Sequence, residues 1–281
     1  MEAVFSFCTK FFDTYNAYGG FPDAEAFWCS CTLSVLLAKR HFDLVTLYTD
    51  TCGAQLLKRL QLPFDEIEVV FDSCAYPPHL WMTSKLQAYR LQTEPFVHID
   101  LDAYLWAPLP ARLTGAGILA QNSEEDAPYY NSVVEFFLGK AGYLPDFVRE
   151  HAVQHGTKVR ALNAGIYGGH DLATVHACCD AAFTTMAHPA NRIMFAELAA
   201  HHGNGAEVIY DFNVLLEQYF ASVYCHQQGV EVAYVISDQE APYFTHLLGG
   251  AKRHPGNVRN LKKRVLQDYP AYHQRILRLA A

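Results

Sequence analysis

The chain has 281 residues, 51% of them hydrophobic, 14% aromatic and 18% charged, a composition that excludes a disordered chain and is ample for a sizeable buried core. A formal net charge of -8 argues against non-specific binding to nucleic acid or to an anionic membrane, because both need a basic face. The opening MEAVFSFCTKFF has no basic region followed by a long apolar core and a small-residue cleavage site, and no apolar run reaches the ~20 residues that span a bilayer. A cytoplasmic protein without a transmembrane segment is therefore expected. The eight cysteines lack paired C-x-x-C spacing and several lie in apolar stretches, so reduced, buried thiols are expected over a disulfide framework or a zinc site.

Strand and helix signals alternate through the first hundred residues. Val4 to Cys8 is a short apolar run, followed by a turn-rich segment from Asn16 to Pro22 and a helical pattern from about Ala24 to Lys39, with Trp28, Leu33 and Leu36 or Leu37 at helical spacing. Leu44 to Tyr48 reads as the next strand, then come helix-like GAQLLKRLQ, strand-like EIEVVF, helix-like SKLQAYRLQ and the strand PFVHID. Alternating units of this length predict an α/β fold with a mostly parallel central sheet flanked by helices, in which ligands bind at the carboxyl ends of strands.

After Pro108 the pattern loosens. Gly117 to Gln121 reads as a strand, SEED (Ser123 to Asp126) as an acidic turn, and helices are expected through about Glu135 and about Val148. LNAGIYGG (Leu162 to Gly169) carries glycines that let a backbone approach a ligand or a partner strand closely. Helical patterns span Leu172 to Met186, about Ala190 to His202, and FNVLLEQYF; VEVAYVIS is strand-like, and the basic tail ends in a helix whose wet face carries Lys262, Lys263 and Arg264. No repeat or linker composition marks a boundary. A single domain over residues 1–281 is expected, with a nucleotide-binding half to about residue 108 and an acceptor-facing half beyond it.

Within FVHIDLDAYLW (Phe96 to Trp106), an apolar strand closes on Asp100 and Asp102. Two neighbouring carboxylates repel, so a positive partner is expected, and an oxygen pair of this kind suits Mg²⁺ or Mn²⁺ holding substrate phosphates; taken alone, D-x-D also marks turns. Near the end of the chain, His246, Gly249 and Lys252 combine an imidazole for a metal shell, a glycine that lets the backbone near a diphosphate, and an ammonium to neutralise it. His151 and His155 share one helical face but bring no H-E-x-x-H glutamate and no third ligand, which favours a plain surface face over zinc. Cys29 and Cys31 read as packing, and no G-x-S-x-G, Walker lysine loop or G-x-G-x-x-G is present.

SKLQAYRLQTEPFVHIDLDAYLW, LNAGIYGG and THLLGGAK, in this order, resemble the GT-A fold, Rossmann-like glycosyltransferases that use nucleotide sugars, and in particular the glycogenin-like retaining group. The resemblance implies that Asp100, Asp102 and His246 bind Mn²⁺ or Mg²⁺, that Lys85 meets donor phosphate or sugar, that Gly249 and Lys252 meet the diphosphate, and that Asn163 to Gly165 meet the sugar ring or acceptor. It places Thr9 and Asp50 where that family binds the nucleoside; a helix-surface cation at Lys85 and a strand-end turn at Asp50 are the plain alternatives. The group's D-Q motif has no direct match. Asp211, ahead of FNVLLEQYF, is the first choice for a donor-side carboxylate and Glu217 the second, and either suits a helix cap or surface charge equally. The expectation is a metal-dependent transferase moving a sugar from a nucleotide diphosphate sugar, by resemblance a UDP-sugar, to an unknown hydroxyl acceptor. A sugar nucleotidyltransferase and a non-catalytic nucleotide-sugar binding module are the rivals; the first is expected to carry a glycine-rich loop where this chain reads FCTKFFDTYNAYGG.

Overall fold

The structure, a computed structural model, describes residues 1–11, 17–77, 79–125, 127–156, 159–200, 212–236 and 242–280. In chain order its elements are β1 (Glu2–Phe7), α1 (Ala24–Ala38), β2 (Val45–Thr49), α2 (Thr51–Leu60), β3 (Glu66–Val69), α3 (Met82–Arg90), β4 (Phe96–Ile99), β5 (Ala103–Leu105), α4 (Ala111–Thr114), β6 (Ile118–Ala120), β7 (Ser123–Glu125) and α5 (Pro128–Lys140). They continue with α6 (Asp146–His155), β8 (Arg160–Leu162), β9 (Ile166–Gly169), α7 (Leu172–Ala187), α8 (Arg192–Ala200), a π-helical turn (Leu215–Tyr219), α9 (Phe220–Gln228), β10 (Val232–Tyr234), β11 (Phe244–His246), α10 (Pro255–Asp268) and α11 (Pro270–Ala280). The chain forms two compact units, the first from Met1–Pro78, Phe96–Ala111 and Asp238–Ala281, the second from His79–Pro95 and Arg112–Ser237.

In the first unit β4, β1, β2 and β3 lie in that order, each pair parallel. Val4, Phe5, Val45, Leu47, Phe96 and Val97 are fully buried, as parallel strands covered on both faces require. Helix α1 is buried at every position from Ala26 to Ala38 and packs against β5, α10 and α11; a helix apolar all round belongs inside a fold. Two aspartates start the helices: Asp23 accepts from the Ala26 amide at 2.8 Å to cap α1, and Asp50 accepts from the Gly53 amide at 2.6 Å to cap α2.

In the second unit β6 runs parallel to β10 and antiparallel to β9, while β7 pairs antiparallel with β8. Helix α7 packs on α3, and α9 packs on α6, α7 and β8. The acidic segment expected as a turn is therefore a strand: Ser123–Glu125 faces Leu162–Arg160, with Arg160 ion-paired to Glu125. Its partner is remote in sequence, so no local pattern announces the pairing. The tail also departs from expectation at Lys262, which leaves the wet face to reach Glu25 at 2.7 Å and Asp23 at 3.0 Å.

All eight cysteines are free, six of them buried, and burial pushes Cys8, Cys29 and Cys225 up to about 12. Among the described residues no helix is long and apolar enough to cross a membrane.

Gly53 sits where the end of β1, the end of β2 and the start of α2 converge. A Cβ there would overlap Thr49 Oγ1 and lie 2.9 Å from Asp50 Oδ1 and 3.0 Å from Phe7 Cδ1. Alanine is the better helix former by about 1 kcal/mol, yet Gly53→Ala is expected to lower stability by about 1–3 kcal/mol in urea unfolding, because overpacking outweighs propensity. A stabilised variant would contradict this packing.

Candidate functional site

The D-x-D segment does make a turn, closed by the Ala103 amide on the Asp100 carbonyl at 3.0 Å, but the turn is held in a way that aims its side chains. Strand β5 continues directly from it and pairs antiparallel with β11, in the register Ala103 to His246 and Leu105 to Phe244. The Leu247 amide bonds the Asp102 carbonyl at 3.0 Å, extending that pairing into the turn. Two aspartates and a histidine far apart in the chain thus meet. Asp100, Asp102 and His246 each offer a ligand atom, all within 4.8 Å of one another.

Helix α1 fixes the same turn from inside. Ser34 Oγ donates to the Asp100 and Ala103 carbonyls at 3.0 and 2.7 Å, and Ser30 Oγ donates to the Leu101 carbonyl at 2.8 Å and lies 2.7 Å from the Tyr104 hydroxyl. These positioning serines were missed in the sequence reading. Ser30 and Ser34 lie four residues apart on one face of a largely apolar helix, a placement that calls for buried hydrogen-bond partners.

The electrostatics centre on Asp102. Burial alone would raise its carboxyl, but the Lys252 ammonium paired with it and the His246 Nε2 at 3.0 Å outweigh that and hold it well below the usual carboxylate range. Lys252 Nζ also donates to the Gly19 carbonyl at 3.0 Å and lies 5.8 Å from the centre of the Phe21 ring. On the other side of the pair, Asp100 is 3.6 Å from Nδ1 of the buried His98, whose Nε2 lies 2.9 Å from Ser6 Oγ. Gly249 opens the short helical turn Gly249–Lys252 with a φ of 46° and open space around it, so the backbone there can take a ligand closely.

Thr9 and Asp50 belong to this unit and bond each other: Asp50 Oδ2 accepts from the Thr9 amide and hydroxyl, both at 2.7 Å, while Oδ1 caps α2. Asp50 braces the ends of β1 and β2.

In the second unit the structure gathers Lys85, Glu217 and the Asn163–Gly165 loop. Lys85 Nζ lies 2.8 Å from Glu217 Oε1 and 3.2 Å from the Ala164 carbonyl, and the Tyr89 hydroxyl donates to the same Glu217 oxygen at 2.8 Å. Lys85 is 6% exposed and Glu217 3%, so neither is the surface charge that the plain alternatives suppose. Asn163 Oδ1 accepts from the Gly165 amide at 3.0 Å and its Nδ2 donates to Glu124 at 2.9 Å, which fixes the loop's shape. Glu217 sits in the π-helical turn, and such turns, rare in proteins, recur at functional sites. Asn213 bonds the Met82 amide and the His79 carbonyl at the start of α3. Asp211 lies outside the described residues.

A family model described as a family of unknown function, DUF6734, matches residues 1–279. The chain belongs to that family. No curated protein matches this DUF6734 chain. Among solved structures it is similar to mouse xyloside xylosyltransferase 1 in its apo form, at 13% identity and a TM-score of 0.38, over 84% of this chain and 86% of that one.

Removing one member of a buried ion pair leaves the other charge uncompensated, at a cost of about 3–5 kcal/mol. Glu217→Gln in the DUF6734 chain is therefore expected to lose about that much stability in urea unfolding, and Lys85→Met with Glu217→Gln to lose less than the two single changes added. A loss under about 1 kcal/mol for Glu217→Gln would mean that the pair is not held as described.

Proposed function

We propose that this chain is a metal-dependent glycosyltransferase that moves a sugar from a nucleotide diphosphate sugar to an acceptor hydroxyl. The observation that carries this reading is the convergence of Asp100, Asp102 and His246 within 4.8 Å at the carboxyl end of β4, where α/β sheets bind ligands. Two carboxylate oxygens with one imidazole nitrogen fit Mn²⁺, with Mg²⁺ as the harder alternative. The ordered motifs that resemble the glycogenin-like group support a UDP-sugar as donor and a retained anomeric configuration.

The chemical problem is departure of the nucleotide diphosphate. When bound, the metal would supply Lewis-acid charge at the leaving diphosphate. Asp100, Asp102 and His246 would hold it, and the β5–β11 register presets the imidazole beside the carboxylate. Lys252 adds a second positive charge near the same place. Paired with Asp102, its ammonium stands beside the proposed metal site and would shift from that carboxylate toward the diphosphate as the metal takes up Asp102. Gly249 would let the backbone reach the diphosphate, and Thr9 and Asp50 would frame the nucleoside. Lys85, with Asn163 and Gly165, would meet the sugar, and Asp211 or Glu217 would be the donor-side carboxylate; Glu217 already orients Lys85 through their 2.8 Å contact.

Thermal shift against UDP-sugars, GDP-sugars and CDP-sugars with and without Mn²⁺ tests the reading. The expected result is a rise of roughly 5 °C that needs both UDP-sugar and Mn²⁺ and disappears in Asp102→Asn, together with slow Mn²⁺-dependent hydrolysis of the same donor. A shift without hydrolysis would make the chain a binding module. No nucleotide-dependent shift would end the glycosyltransferase reading.

A further inference from the structure

His151 and His155 lie four residues apart on α6 and so share a face of that helix. Helix α9 packs on α6 and carries His226 close to its carboxyl end. The sequence lacked a third ligand for the i, i+4 pair; helix packing supplies one. Ligand nitrogens of the three rings lie within 4.8 Å of one another. The ring centres are 4.6 Å apart for His151 and His155, 5.6 Å for His151 and His226, and 5.4 Å for His155 and His226.

The three sites differ in a way that suits an ion. His151 is 7% exposed, and its buried Nδ1 has no hydrogen-bond partner among the described residues, which leaves a polar atom whose desolvation nothing offsets. His155 and His226 are exposed, so the cluster opens to solvent and gives an ion a way in.

We propose that His151, His155 and His226 form a binding site for a borderline divalent transition metal, Zn²⁺ foremost, that clamps α6 to α9. Three nitrogens without a carboxylate disfavour Mg²⁺, Ca²⁺ and Mn²⁺ and suit Zn²⁺, Ni²⁺, Co²⁺ or Cu²⁺. Three protein ligands leave the fourth tetrahedral position to water. The site is independent of the glycosyltransferase reading, and each stands or falls alone.

Zinc titration of the tag-free chain against a competing chromophoric chelator tests the site, in an Asp102→Asn background that removes the carboxylate cluster as a competitor. One zinc per chain is expected, with a rise in Tm of roughly 5 °C at saturation that a chelator reverses. Adding His155→Gln and His226→Gln, both at exposed positions, should weaken zinc binding more than roughly 100-fold while leaving the Tm in chelator unchanged. Co²⁺ should show the intense visible bands of a tetrahedral site in the Asp102→Asn chain and not in the triple variant. No bound zinc, or zinc held equally well after the two histidine changes, would overturn the proposal.

Discussion

The candidate centre depends on the pairing of two three-residue strands, β5 and β11. Without it, Asp100 and Asp102 are a β-turn at the end of a parallel strand and His246 is one of fourteen histidines in the chain. With it, His246 faces Ala103 across the ladder and its ring reaches Asp102. So short a pair is marginal by itself, and other bonds extend it: the Leu247 amide to the Asp102 carbonyl at 3.0 Å, the Trp106 amide to the Tyr243 carbonyl at 2.7 Å, and the Trp106 indole to Thr245 Oγ1 at 3.0 Å. The serines of α1 hold the opposite side of the turn. The result is a pre-organised cluster in which the carboxylate's loss of hydration is offset by an ammonium and an imidazole.

The second unit solves a similar problem with different parts. Glu217 and Lys85 are both buried, and each offsets the other's charge at 2.8 Å, while Tyr89 and the Ala164 carbonyl take up further bonding capacity. The π-helical turn is part of this arrangement, since it carries Glu217 and Gln218 together, the latter bonded to the Tyr130 hydroxyl. A mid-helix departure from α geometry costs backbone regularity, and here it accompanies two buried polar anchors in succession.

Much of this was legible in the sequence where the signal is local. The extents of α1, β2 and β4 follow from apolar runs and periodicity to within about a residue, and the D-x-D lies where a buried strand meets its end. What could not be read locally depends on pairing across long stretches of chain. Ser123–Glu125 looks like an acidic turn until Arg160–Leu162 faces it; Lys262 looks like a wet-face cation until Glu25 and Asp23 come within reach; His151 and His155 look like a surface pair until α9 brings His226. Ser30 and Ser34 are a fourth case: their spacing on α1 is visible in the sequence, but the carbonyls they meet belong to a turn remote from them in the chain.

The central claim is that Asp100, Asp102 and His246 are a metal centre, and its most direct test is crystallographic. Crystals grown with Mn²⁺ and UDP should give an anomalous difference peak within bonding distance, about 2.0–2.3 Å, of an oxygen of each aspartate and a nitrogen of His246, with Lys252 drawn from Asp102 toward the diphosphate. Clear density for these three side chains with no anomalous peak among them, and with Lys252 still on Asp102, would contradict the account.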